Sequence, residues 1–273
     1  MNEPMRLMCV LAHPDDESLG TGGLLAKNAA EGVETYLITA TRGEAGWFGQ
    51  WSDYPGPEKL GALREQELNC AANQLGLRQI FLLGYMDGEL DQAPPGEVIE
   101  KIAAIYRQVR PQVVVTFDPA GVYGHPDHIA ISQFALAAAV KAAGEGGAHP
   151  PHQVSKLYYS IETEEVLAMY QQVFGELKMT IDGVERHAEG WKDWMITTIV
   201  DTTTYWQVIW DAIRCHQSQL PGFSEMLALP EDRRQALFGT QYFYRVYSLV
   251  NGGREIETDL FAGVRERMIP AGG

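Results

Sequence analysis

Short apolar runs alternate with Ala/Leu-rich stretches along residues 1–143. The runs "RLMCVLA" (6–12), "VETYLITAT" (33–41), "QIFLLGY" (79–85) and "QVVVTFD" (112–118) are nearly continuous in apolar or β-branched residues and read as strands buried on both faces. Between them, "LGTGGLLAKNAAEG" (19–32), "PEKLGALREQELNCAANQLG" (57–76), "EVIEKIAAIYRQVR" (97–110) and "HIAISQFALAAAVKAAG" (128–144) read as helices. Pro57 near the start and Gly76 just past the end punctuate the second of these. Strand–helix alternation predicts an α/β fold, a Rossmann-like, mostly parallel sheet with helices on both faces.

The pattern weakens after that. "GEGGAHPPHQVS" (144–155) has the composition of a linker. "KLYYSI" (156–161) and "ITTIVD" (196–201) offer further strands, and "TYWQVIWDAIRCHQSQ" (204–219) an amphipathic helix. Residues 163–195 and 219–273 are weakly patterned and read as lid or dimer segments, which leaves a homo-oligomer open. The expected organisation is one domain over 1–273: a core over 1–143 and a smaller C-terminal extension, 156–273, bearing lid or specificity elements.

Composition narrows the partners. The 273 residues include 21 Lys plus Arg against 36 Asp plus Glu, a formal charge of -15. Such a surface repels phosphate backbones and anionic lipid, so neither nucleic acid nor membrane is an expected partner. No apolar run reaches the ~20 residues needed to cross a bilayer. Cys9, Cys70 and Cys215 are far apart, odd in number and without metal-ribbon spacing. The expectation is no disulfide framework and a cytoplasmic location.

The chemistry concentrates at two strand ends. "HPDDE" follows the first strand and "GHPDH" follows "VVVTFDPAGVY", and a doubly wound sheet binds ligands beyond the carboxyl ends of its strands. Proline and acids suit a helix start, but a histidine does not gain from that position. A metal accounts for the histidines, because neutral imidazole and carboxylate are zinc ligands and a catalytic site keeps three of them plus an open position. His13 and Asp16 are three residues apart and can reach one point, and His125 and His128 repeat that spacing. Asp15 points away from Asp16 and is free to accept a proton from water, whose pKa zinc lowers to ~7. Imidazole and carboxylate ligands also suit Fe2+, Co2+ and Ni2+.

"AHPDDE" paired with "YGHPDH" resembles the PIG-L/LmbE-like family of zinc-dependent N-deacetylases, closely over about residues 5–135 and loosely beyond. That family includes deacetylases of N-acetylglucosaminyl-phosphatidylinositol and of the mycothiol and bacillithiol pathways. The resemblance implies one Zn2+ per chain on His13, Asp16 and His128, with Asp15 as general base. It implies that His125 stabilises the oxyanion or protonates the amine, that Asp127 orients it, and that Tyr123 lies over the site. Glu44 in "TRGEAG" and Arg64 in "LREQE" match substrate-contacting positions, against a solvated carboxylate and a helix ion pair as the ordinary readings. Trp47, with Phe48, Trp51 and Tyr54, crowds a loop suited either to stacking on a sugar or to anchoring the loop. Asp118 would buttress a ligand histidine, or simply form a turn before Pro119. His216 in "CHQSQ" resembles a motif of the family's C-terminal part, against a structural helix-end histidine as the ordinary reading, whereas His149, His152 and His187 belong to no constellation and read as surface residues.

The implied activity is hydrolysis of an N-acyl, usually N-acetyl, group from an amino-sugar conjugate, an N-acetylglucosamine derivative for example. An amidase acting on a thiol conjugate or another non-sugar amide is the alternative. A non-catalytic nucleotide- or metal-binding module fits less well. "GTGGLL" puts Leu25 where a dinucleotide fingerprint has its third glycine, and a mere metal store would leave Asp15 and His125 idle. HExxH, GxSxG and the P-loop are absent.

Overall fold

A computed structural model describes residues 4–268. Its strands are β1 (Arg6–Leu11), β2 (Glu34–Thr41), β3 (Gln79–Tyr85), β4 (Val113–Phe117), β5 (Lys156–Ile161), β6 (Lys178–Ile181), β7 (Val184–His187), β8 (Thr198–Asp201) and β9 (Thr240–Ser248). Its helices are α1 (Asp16–Leu19), α2 (Gly22–Ala30), α3 (Pro57–Leu75), α4 (Pro95–Val109), α5 (Gly121–Gly124), α6 (Pro126–Ala143), α7 (Glu164–Phe174), α8 (Trp206–Cys215), α9 (Ser224–Leu227), α10 (Glu231–Phe238) and α11 (Val264–Met268).

Seven strands form one sheet in the order β3-β2-β1-β4-β5-β9-β8. The first five are mutually parallel, and β9 runs antiparallel between β5 and β8. The chain moves outward from β1 through β2 to β3, then returns to the other side of β1 at β4. Ligands bind where the strand order reverses in this way. That point lies between β1 and β4, and both His-Pro-Asp segments follow these strands. Leu7, Met8, Cys9, Val10 and Val113 to Val115 are fully buried, which the near-continuous apolar runs required. A fully buried Leu or Val side chain contributes about 1.5–3 kcal/mol of hydrophobic stabilisation.

The α/β class, the mostly parallel sheet and the core elements agree with the sequence reading. The differences are local. The expected helix over 19–32 is two helices, α1 and α2, separated at Gly20–Thr21. The helix expected over 204–219 ends at Cys215, and "HQSQ" lies beyond it. Part of the segment read as lid or dimer, 219–273, is the strand β9, which lies inside the sheet with Phe243 fully buried. The rest of the weakly patterned chain supplies α7, the β6–β7 hairpin, α9 and α10.

Two further expectations are overturned. Cys70 of α3 and Cys215 of α8 form a disulfide with Cα atoms 5.7 Å apart. Their 145-residue separation hid a pair that helix packing creates, and the cytoplasmic expectation loses the support it drew from the cysteines. His152 is not at the surface: it is buried, with Nε2 2.7 Å from the Pro111 carbonyl. His149 and His187 are exposed, as expected. Among the described residues no helix is long and apolar enough to cross a membrane.

Candidate active site

The loop after β1 is shaped by Asp16. Its Oδ2 accepts the N–H groups of His13 (2.7 Å) and Ala12 (3.2 Å), folding the chain back on itself and turning the His13 ring inward. The intervening Asp15 takes a φ of 115°, where a side chain is strained. The loop after β4 is tighter still. Gly121, Val122 and Gly124 all have positive φ, and the Asp118 carboxylate receives the Val122 N–H at 3.0 Å. His125 then caps α6, with Nδ1 accepting the Asp127 N–H at 3.2 Å, and Pro126 opens the helix. One turn on, His128 is buried and its ring stacks on Phe117 at a centroid distance of 4.0 Å.

The two loops converge. His13 Nδ1 lies 3.2 Å from His128 Nε2, and the Asp16 carboxylate lies 3.6 Å from the first and 3.5 Å from the second. A tetrahedral ion with bonds of about 2.1 Å holds its ligand atoms roughly 3.4 Å apart. Asp16 reaches the two rings with different oxygens, Oδ2 toward His13 and Oδ1 toward His128, while one ring nitrogen from each of His13, His125 and His128 lies within 4.8 Å of the others, so these groups together could hold a divalent metal.

Other donors approach the same ring. His13 Nε2 is 3.2 Å from Asp127 Oδ2 and 3.1 Å from Asp87 Oδ1, and His125 also offers a ring nitrogen near His13 and His128. The two carboxylates already accept backbone N–H groups: Asp127 from Gly88 and Leu90, Asp87 from Ala45. Both hold His13 through its far nitrogen, and His13, Asp87 and Asp127 together form a second group that could hold a metal ion.

Charge is strongly organised here. Burial alone would keep His13 neutral, but hydrogen bonds to Asp127, Asp16 and Asp87 raise its pKa well above the ordinary value. Burial and the neighbouring His13 push His128 down to about 3. Asp16 resists the upward pull of burial because His128 and His13 face it, and it stays well below the usual carboxylate range. Asp15 goes the other way, raised to about 6 by burial, with Arg64 opposing. Burial lowers His125 and raises the Tyr123 phenol, whose ring meets His128 edge-on at 5.6 Å.

Several expected roles change in this setting. Asp127 does not orient His125 with its side chain; its carboxylate orients His13. Asp118 touches no ligand histidine: its second oxygen accepts from Trp191 Nε1 at 2.9 Å, so it holds the β4 loop. Arg64 is buried and donates to the carbonyls of Gly43 and Pro14 and to Asp15 Oδ2 at 3.1 Å, which makes it a clamp on the Asp15 carboxylate. Glu44 is also buried, its carboxylate paired with Arg42. Trp47 is half-buried, with Nε1 donating to the Gln50 carbonyl and its ring packed toward Tyr54.

Comparisons with known proteins agree with this geometry. The family model described as "PIG-L: GlcNAc-PI de-N-acetylase" matches residues 8–139, which hold both loops. A deacetylase of 1D-myo-inositol 2-acetamido-2-deoxy-alpha-D-glucopyranoside from Thermobifida fusca is 34% identical, covering 94% of this chain and 99% of the relative. One of the same name from Nocardiopsis dassonvillei is 35% identical over 94% of this chain and its own full length. This chain belongs to the PIG-L family. The PIG-L fold is also seen in N,N'-diacetylchitobiose deacetylase from Pyrococcus horikoshii, with a TM-score of 0.65 and 22% identity over 89% of this chain and 84% of that one. Both curated relatives are named as deacetylases, and this chain is a hydrolytic N-deacetylase of the same family.

The sequence reading of this PIG-L chain missed Asp87, Glu17 and Glu67. Asp87 stands before Gly88 just beyond the end of β3, at the same sheet edge, which was its available signal. Glu17 and Glu67 make contacts with His216 and Ser218 that only the fold reveals.

Proposed function

We propose that this chain is a metal-dependent deacetylase that removes the acetyl group from an N-acetylglucosamine joined to inositol or a similar polyol. The observation that carries it is the meeting of His13, Asp16 and His128 within 3.2–3.6 Å, beside a carboxylate that does not belong to the triangle. Two imidazoles and one carboxylate suit zinc, and the substrate class is the one the curated relatives are named for. When bound, the ion supplies Lewis acidity that polarises the amide carbonyl and acidifies water.

The protein's own groups do the rest. Asp15, half-buried and paired with Arg64, accepts the proton of the attacking water. Because His125 Nδ1 accepts the Asp127 N–H, its neutral ring carries its proton on Nε2. That N–H donates to the carbonyl oxygen as negative charge develops, and the protonated Tyr123 phenol closes the same side of the site. Breakdown transfers the proton held by Asp15 to the departing amine, so acetate and the free amino sugar leave. Trp47, Trp51 and Tyr54 pack on one another in the segment between β2 and α3, a cluster suited to stacking on a sugar.

The test is acetate release from N-acetylglucosaminyl-inositol and from an N-acylated thiol conjugate lacking the sugar, each before and after chelation. Release from the sugar alone, abolished by chelator and restored by zinc, supports the proposal. Equal release from both conjugates would favour a broader amidase.

A further inference from the structure

The pentapeptide "CHQSQ" (215–219) at the end of α8 takes no part in the chemistry above, yet the side chains of Cys215, His216, Ser218 and Gln219 all bond to elements around it. His216 is fully buried and its Nε2 lies 2.7 Å from Oε1 of the fully buried Glu17. Glu17 Oε2 accepts the backbone N–H of Asp15 at 3.0 Å, and Ser18 Oγ donates to Glu17 Oε1. Glu17 therefore grips the one strained peptide of the loop from below. Ser218 donates twice to Glu67 of α3, through N and through Oγ, each at 2.7 Å. Glu67 stands three residues from Arg64, the residue that clamps the Asp15 carboxylate. Gln219 Nε2 donates to the Gly46 carbonyl, in the loop through which Arg64 passes, and Cys215 is bonded to Cys70 of α3.

One segment some 200 residues away thus reaches Asp15 from two sides: its backbone through His216 and Glu17, and the helix α3 that carries Arg64, the clamp on its carboxylate, through Ser218–Glu67 and the Cys215–Cys70 bond. We propose that the segment Cys215–Gln219 positions Asp15 for proton transfer, with His216 and Ser218 as positioning residues. This rests on the deacetylase reading above. A residue at φ 115° relaxes unless its surroundings hold it. A base displaced by about 1 Å loses on the order of a hundredfold in rate. A buried ion pair is otherwise weak support for stability.

The experiment compares wild type with His216→Ala, His216→Gln, Glu17→Gln and Ser218→Ala, reading kcat, KM, bound metal, melting temperature and hydrogen exchange of the Asp15 amide. His216→Gln keeps a donor near the Nε2 position and Glu17→Gln keeps the acceptor for the Asp15 N–H, so both should retain most of kcat. His216→Ala should lose roughly 30- to 100-fold in kcat with KM within about threefold and metal content unchanged. Its Asp15 amide should exchange at least tenfold faster while that of His128 does not change. Ser218→Ala, which leaves the core packing intact, should lose several-fold in kcat and carries the test if His216→Ala does not fold. Variants that lose melting temperature but keep both kcat and Asp15 protection would overturn the proposal. A wild type that releases no acetate from the conjugate sinks the deacetylase reading instead, and the exchange measurement still decides whether the segment holds Asp15.

Discussion

His13 faces two ways, and most of the site's logic follows from that. Nδ1 turns into the donor triangle while Nε2 meets Asp127 and Asp87. Replacing Asp127 with Asn should weaken metal binding by about 10- to 100-fold, measured by competition with a chromophoric chelator. Unchanged affinity would mean that Asp127 matters only for the Gly88 and Leu90 amides. His125 and His128 separate in the same way. His128→Ala should lose the metal altogether. His125→Ala should keep close to one ion per chain yet lose on the order of a hundredfold in kcat, with little change in KM. Loss of metal by both variants would make His125 a ligand rather than a donor to the oxyanion.

At the scale of elements, α3 is the part most closely built around the site. A Cβ on Gly43 would sit 2.1 Å from Arg64 Nη1, and Gly43 has a φ of +70°. Gly32 has a similar φ of +82° with nothing within 4 Å. Urea unfolding of the two alanine variants should therefore differ. Gly32→Ala carries backbone strain alone, about 1 kcal/mol, and Gly43→Ala exceeds it by about 1–3 kcal/mol because the guanidinium must move. Equal losses would show that Arg64 shifts without penalty. The α3–α8 disulfide belongs at this scale too. Closing so long a loop should stabilise the fold by about 2–4 kcal/mol, read as the difference between unfolding with and without reductant. The Cys70→Ser variant should show no such difference.

Across the whole molecule, the far end of the sheet is tied together around Glu257. Its carboxylate takes Lys156 Nζ and the Tyr158 hydroxyl at 2.6 Å each, Asn251 at 2.7 Å, Arg245 at 2.8 Å and Thr198 at 3.1 Å, joining β5, β8 and β9 to the C-terminal loop. Burial would raise its pKa, but the bonds from Lys156, Tyr158 and Asn251 prevail and hold it below the ordinary 4.5. A carboxyl depressed on folding stabilises the native state above its unfolded value, and that contribution is lost as pH falls through the folded value. Stability should accordingly decline as pH drops below about 4.5. In Glu257→Gln it should be lower at neutral pH and fall less steeply in acid, followed by urea midpoints across the range. Parallel acid limbs in the two proteins would remove Glu257 as a contributor.

Local physics made much of this readable from residues alone. Buried parallel strands must be almost wholly apolar, so β1 to β4 announced themselves, and Pro57 and Gly76 marked α3 because each is suited to its place at a helix end. The two His-Pro-Asp segments were legible for the same reason: residue type and short spacing carry the ligand chemistry. What the sequence could not specify is which distant groups meet. Strand β9 went unread because Tyr242, Tyr244, Arg245 and Tyr247 give a mixed pattern on a half-covered strand, decided by its neighbours β5 and β8. The partner of His13 (Asp127, not Asp118), the clamp of Arg64 on Asp15, the His216–Glu17 pair and the Cys70–Cys215 bond all join residues separated by about 50 to 200 positions. Periodicity and propensity act over a few residues, whereas such contacts form only once the sheet order and helix packing have brought the chain back on itself.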